Sequence, residues 1–194
     1  MTTTPWKQLL LTSLEANSHL PFSSFFQLAT VGPNGRPSNR TVVFRGFDEN
    51  SDRLQINTDC RTRKIQELNL NPYAEICWYF TDSWEQFRIS GRIDTVNEST
   101  SGLLKLQQRE KAWLASSSKS RMQYFGPAPG IPCLDEQKLT ETSCVSSVPA
   151  TFSVLLLDPD QVDYLNLKKN QRISFTSARD PGGEKRWSAE AVNP

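Results

Sequence analysis

Short β-like runs punctuated by Gly, Pro, Asn and Asp dominate this chain, and helices are inserted among them rather than alternating with them. Phe25–Val31 and Asn39–Phe47 flank Gly32-Pro33-Asn34-Gly35, which predicts a hairpin. Arg53–Thr58 is a third strand. Ala74–Phe80 and Glu85–Val96 form a second hairpin across Thr81-Asp82-Ser83. Within the last of these, Phe87, Ile89, Ile93 and Thr95 share one face, and Gln86, Arg88, Arg92 and Asp94 the other. Phe152–Leu157, Val162–Leu167, Arg172–Ala178 and Arg186–Ala191 complete the strands, with turns expected at Asp158-Pro159-Asp160 and Pro181-Gly182-Gly183. Helices are expected after Thr4-Pro5, where Trp6, Leu9, Leu10 and Leu14 form one stripe, at Arg61–Leu70, at Asn97–Ala115 and near Asp135–Thr142. Ser116–Ser120 and Gly126–Pro132 read as loops. The pattern predicts a mainly β fold with inserted helices, an antiparallel barrel rather than a doubly wound α/β sheet.

With no internal repeat and no long linker, residues 1–194 are expected to form a single domain. No apolar run approaches the roughly 18 residues of a spanning helix. Met1–Lys7 has neither a basic nor an apolar leader region, so a cytoplasmic protein without membrane contact is expected. The net charge of +1 gives no bulk attraction to nucleic acid. The basic run Lys168, Lys169 and Arg172 lacks an aromatic platform and reads as a solvated loop. Four cysteines without a CxxC pair, and the single histidine His19, predict reduced thiols and no metal site. Walker, GxGxxG, HExxH and GxSxG motifs are all missing, and no side-chain acid or base stands out as catalytic.

The chemistry concentrates at Asn57–Lys64, which follows a strand and opens a helix. Arg61, Arg63 and Lys64 crowd that helix start, where the helix dipole disfavours cations. Free backbone N–H groups point outwards at the same end. A bound phosphate would satisfy both, held by N–H groups, threonine hydroxyls and basic side chains. Solvated surface charge is the alternative. Upstream, Arg40 and Arg45 bracket the apolar Thr41–Phe44. Charges in such a strand need partners, either a core acid or a ligand. Five residues apart, they would face opposite sides of a regular strand, so a bulge or a strand crossing the ligand is implied.

Several segments occur together in a telling order: Gln27–Val31, Asn39–Phe47, Thr62-Arg63-Lys64, Asn71–Glu75 and Gln86–Gly91. As a set they resemble the FMN-binding half of the pyridoxamine 5'-phosphate oxidase family, over about residues 20–165. The wording Arg40–Phe47 followed by Cys77-Trp78-Tyr79-Phe80 is most similar to a cyanobacterial and plant-type subgroup. The resemblance implies an FMN-binding split β-barrel working as a homodimer, with two FMN sites at the interface. It places Arg40, Arg45, Asn57 and Thr58 against FMN, Thr62, Arg63 and Lys64 at its phosphate, and Gln86 at the flavin ring. Ser117 and Ser118 fall where the family has a Gln-Ser pair.

The departures lie in the substrate half. Family members that oxidise pyridoxine phosphate carry lysine where Arg45 stands and tryptophan near Leu165. They also carry Arg-Leu-His-Asp-Arg where this chain reads Gln171–Phe175, leaving only Arg172 as a shifted stand-in for the substrate clamp. The expectation is an FMN-dependent oxidoreductase with a different small-molecule substrate or reductant. A non-catalytic FMN or haem binder, and a genuine vitamin B6 oxidase with an altered clamp, are the alternatives.

Overall fold

A computed structural model describes residues 4–49, 51–132 and 147–194. The expected helix near Asp135–Thr142, with Cys133 and Cys144, lies outside the described residues. Eight strands form one antiparallel sheet: β1 Phe25–Val31, β2 Pro37–Phe47, β3 Leu54–Asp59, β4 Tyr73–Phe80, β5 Glu85–Val96, β6 Phe152–Asn166, β7 Gln171–Arg179 and β8 Lys185–Val192. Their order is β3-β2-β1-β4-β5-β6-β7-β8, and pairing of β3 with β6 closes the first six into a barrel. β7 and β8 extend the sheet beyond the closure. Four helices accompany it among the described residues: α1 Pro5–Ala16, α2 Arg63–Leu70, α3 Leu103–Leu114 and α4 Ser118–Met122, the last followed by a 3-10 turn at Gln123–Phe125.

Period-two alternation fills the barrel. Phe26 and Leu28, Leu54 and Ile56, Ile76, Trp78 and Phe80, and Phe87, Ile89 and Ile93 all point inwards and are buried. α1 lays Trp6 and Leu10 onto the same core, with Trp6 packed on Trp187 of β8 and on Phe47 of β2. A second core lies outside the barrel wall. There Ala112 and Trp113 of α3 cover Phe152, Val154 and Leu156, so β6 is buried on both faces from Phe152 to Leu157. No helix among the described residues is long and apolar enough to cross a membrane.

Three expectations are corrected. Asp158-Pro159-Asp160 is not a turn between two strands; β6 runs unbroken through it, with a register shift opposite Ser90 and Gly91. Proline tolerates that position because a bulge asks no ladder donor of it. Gly91 makes the close approach possible, since a Cβ there would lie 2.2 Å from the Asp158 carbonyl oxygen. α3 begins at Leu103 rather than Asn97, because Gly102 at φ 105° breaks the helical path and Asn97 caps a tight turn over Ser99 and Thr100. Ser116–Ser120 is not all loop: α4 starts at Ser118, and the Ser117 hydroxyl accepts from the Ser120 N–H as its N-cap.

Candidate functional site

The α2 helix starts where the barrel strand β3 ends, so the cationic segment is held against the barrel rim. Thr62 is its N-cap, yet its hydroxyl donates backwards to the Asp59 carbonyl and leaves the first turn without a side-chain cap. The Lys64 ammonium donates to Thr58 Oγ1 at 3.0 Å and Thr62 Oγ1 at 3.1 Å. Lys64 is half-buried. Among the described residues no carboxylate lies within ion-pair distance of Lys64 or of the exposed Arg63. Burial, and then the charge of Arg40, hold the Lys64 pKa below its usual value. Arg61 takes another course: it pairs with Asp59 at 2.6 Å and donates to the Gly126 carbonyl, tying the α4 region to the rim.

Arg40 points inwards. Its guanidinium meets Glu67 of α2 at 2.7 Å, and donates to Ser38 Oγ and the Leu28 carbonyl. Glu67 is 1% exposed and also accepts from Thr30 and Ser38. Burial alone would raise its pKa, but these donors outweigh it and hold the carboxyl below its usual range. A core acid was one of the two partners the sequence left open for Arg40. That acid was not itself picked out, because a glutamate in a short helix reads as exposed.

Arg45 sits differently. Phe44 and Phe47 pair with Ile56 and Leu54, so β2 carries an extra residue between them, and Gly46 adopts φ 107°. The implied bulge is therefore present. It turns Phe44 and Phe47 both towards the core and leaves Arg45 outside, on the rim of a groove of about 900 Å3 lined also by Gln55, Gln108, Lys111 and Ala115. Asn57, on the same outer face, donates to Ser116 Oγ at 3.2 Å. Ser117 and Ser118 follow, both exposed. Tyr124, which the sequence did not single out, packs on Trp113 and Phe152 beside them. Burial pushes its phenol up to about 12, against the pull of Arg45.

The structure thus brings Thr58, Thr62, Arg63 and Lys64 together at the rim, with Arg45, Asn57, Ser117 and Ser118 along the adjoining outer wall. Gln86 is elsewhere. It faces outwards near the start of β5, opposite Tyr79 and Leu165, with the Cys77 thiol 3.9 Å from its Oε1. Asn57 pairs with Val154 and Gln86 with Leu165, so eleven residues of β6, about 35 Å of strand contour, separate the two levels.

Comparison with known proteins assigns this architecture. Residues 3–97 match the family model described as pyridoxamine 5'-phosphate oxidase, FMN-binding domain. An Arabidopsis thaliana protein named pyridoxine/pyridoxamine 5'-phosphate oxidase 2 is 59% identical over 98% of this chain and 97% of its own. The chain belongs to the pyridoxamine 5'-phosphate oxidase FMN-binding family. FMN is the cofactor of this family. A crystal structure of a pyridoxamine 5'-phosphate oxidase-related, FMN-binding protein from Nostoc punctiforme superimposes with a TM-score of 0.91 at 38% identity, covering 100% of both chains. PhzG from Burkholderia lata shares the fold at 19% identity, with a TM-score of 0.79 over 100% of this chain and 94% of that one.

The donor set at the rim fits an FMN phosphate. An uncapped helix start, two threonine hydroxyls, and two cations without acidic partners among the described residues make an anion site in need of an anion. The substrate half offers no such readiness. Arg172 is bidentate to Asp163 at 2.9 and 2.7 Å.

Proposed function

We propose that this protein is an FMN-dependent oxidoreductase that works as a homodimer. The observation that carries the reading is Lys64, a half-buried ammonium without a carboxylate partner among the described residues at the start of α2. In this reading Thr58, Thr62, Arg63 and Lys64 hold the phosphate. Arg40 keeps α2 in place through Glu67. Arg45, Asn57, Ser117 and Ser118 line the path of the rest of the cofactor along the outer wall.

Bound FMN supplies hydride-transfer chemistry. The chain supplies position and charge. Arg45, without an acidic partner among the described residues, puts positive charge where a reduced ring needs it. Gln86 offers an amide to the polar edge of the ring. It lies too far along β6 to serve the same cofactor as its own Lys64, which argues for Gln86 from a second copy. One site then takes its phosphate cradle from one protomer and its ring-reading amide from the other.

A second reading, oxidation of pyridoxamine or pyridoxine 5'-phosphate, is favoured by the full-length similarity to the Arabidopsis protein of that name. The engaged Arg172, and a chain whose one histidine is His19, weigh against it. One titration separates them. Pyridoxamine phosphate bleaching the flavin band of the purified protein at a turnover of roughly 1 per second or more supports the second reading. Bleaching by NAD(P)H alone supports a reductase acting on another substrate. A flavin band that no reductant of either class bleaches would overturn the oxidoreductase.

A further inference from the structure

Residues 116–126 form a strap on the outer barrel wall, tied at both ends to the junction of β3 and α2. At its start the Asn57 amide donates to Ser116 Oγ at 3.2 Å, and Ser116 donates onwards to the Ala112 carbonyl. At its end the Arg61 guanidinium donates to the Gly126 carbonyl at 3.0 Å. Just before that, the Thr151 hydroxyl donates to the Tyr124 carbonyl at 2.8 Å, while the Thr151 carbonyl accepts from the Cys60 N–H. Asn57, Cys60 and Arg61 all belong to the stretch that joins the outer wall to the cationic start of α2. The backbone of Tyr124 is therefore placed by the immediate neighbours of the phosphate cradle.

The Tyr124 ring packs edge-on against Phe152 at 4.9 Å and Trp113 at 5.8 Å. Phe152 pairs with Asp59. Along β3, Gln55, Asn57 and Asp59 alternate outwards, while Leu54 and Ile56 fill the barrel. Tyr124 thus lies on the outer face near the level of Asp59, where the chain turns into α2. Arg45 enters the same face from β2, between the pairs Phe44–Ile56 and Phe47–Leu54, at the level of Gln55. From Gln55 to Asp59 is about 13 Å of strand. A cofactor with its ring at Arg45 and its phosphate at Lys64 has to lay its connecting chain along this interval.

Packing accounts for the ring of Tyr124 but not for its oxygen, since phenylalanine would fill the same space. A phenol in such a place usually finds a hydrogen-bond partner. This one makes no hydrogen bond through its hydroxyl among the described residues, and the side chain is only partly buried. Burial above all keeps it protonated, with Arg45 pulling the other way and Asp59 adding to the rise, so the group is a donor within electrostatic reach of both charges.

We propose that Tyr124 is an FMN-binding residue that donates its phenol hydrogen to the hydroxyl-bearing ribityl chain between flavin ring and phosphate. The proposal rests on the reading that Arg45 faces the ring and that Thr58, Thr62, Arg63 and Lys64 hold the phosphate. It adds the residue that recognises the middle of the cofactor.

The test compares wild type with Tyr124→Phe, which removes one oxygen and keeps both aromatic contacts. Three flavins separate the parts of the ligand: FMN, riboflavin without the phosphate, and lumiflavin, with a methyl group in place of the ribityl chain. Dissociation constants come from quenching of flavin fluorescence. Loss of one neutral hydrogen bond should weaken FMN and riboflavin alike, roughly 3- to 10-fold, and leave lumiflavin unchanged. The urea midpoint of the apo protein should stay where it is. Unchanged FMN affinity, a loss confined to FMN, or an equal loss for lumiflavin would overturn the proposal. A marked fall in the apo midpoint would make the hydroxyl a structural group and overturn it too. Lys64→Met, run alongside, keeps this result apart from the placement of the phosphate, because its loss should fall on FMN alone. If it does and Tyr124→Phe changes nothing, the ribityl assignment falls and the phosphate placement stands. If Lys64→Met leaves FMN binding unchanged or weakens FMN and riboflavin alike, the phosphate placement falls and the ribityl assignment with it.

Discussion

Replacing Lys64 with methionine should move cofactor affinity and apo-protein stability in different directions. The side chain keeps its length and packing, and only the ammonium is lost. That ammonium is half-buried and touches two hydroxyls but, among the described residues, no acid. Its lowered pKa shows that the fold disfavours its charge. The apo protein should therefore unfold at the same urea concentration as wild type, or at a slightly higher one, with a gain of up to about 1 kcal/mol. With FMN the sign reverses. A hydrogen bond to a charged group contributes about 1.5–3 kcal/mol, so FMN affinity should drop roughly 10- to 150-fold. Riboflavin, which lacks the phosphate, should bind both proteins alike. Quenching of flavin fluorescence gives both affinities, and urea titration of the apo form gives the stability. Equal losses for FMN and riboflavin would show that the phosphate is not at α2. A marked loss of apo stability would show that Lys64 is a structural residue.

Arg40→Met should cost about 3–5 kcal/mol in urea unfolding, because Glu67 is left buried without its guanidinium. Adding Glu67→Leu should recover most of it, and a purely additive double variant would refute the coupling. The Glu67 carboxyl is held below 4.5, so its contribution is fully present above that pH and drains away as pH falls through the folded-state value. The urea midpoint of Glu67→Gln should accordingly lose part of the acid slope seen in wild type, and an identical slope would count against the assignment. Gly91→Ala should destabilise by roughly 3 kcal/mol, since its methyl would press on the Asp158 carbonyl at the bulge. A thermal midpoint equal to that of wild type would mean that β6 is not pinned there.

Much of this was legible because local chemistry and global fold agree. The Gly32–Gly35 turn, the hairpin from Tyr73 to Val96, and the Thr4-Pro5 start of α1 all appear where residue type alone puts them. The cationic start of α2 was visible for the same reason: cations at a helix N-terminus run against the dipole. What was hidden depends on distant pairing. Asp158-Pro159-Asp160 carries a strong turn signal, but flanking residues of β6 pair with β5 on both sides, and the ladder overrides it. Barrel closure by β3 and β6 joins segments nearly a hundred residues apart, beyond the reach of any periodicity. Glu67 shows the limit most sharply. Nothing in Arg63–Leu70 marks it as buried, and only the convergence of Thr30, Ser38 and Arg40 from two strands makes it so.

The central claim is that two copies of this chain share each FMN, with the phosphate on one and the ring-reading glutamine on the other. Native mass spectrometry of the FMN-loaded protein tests it most directly. The account predicts a species of two chains and two FMN, converting on dilution to chains that have lost their cofactor. A single chain of 22.0 kDa that keeps its FMN would contradict it.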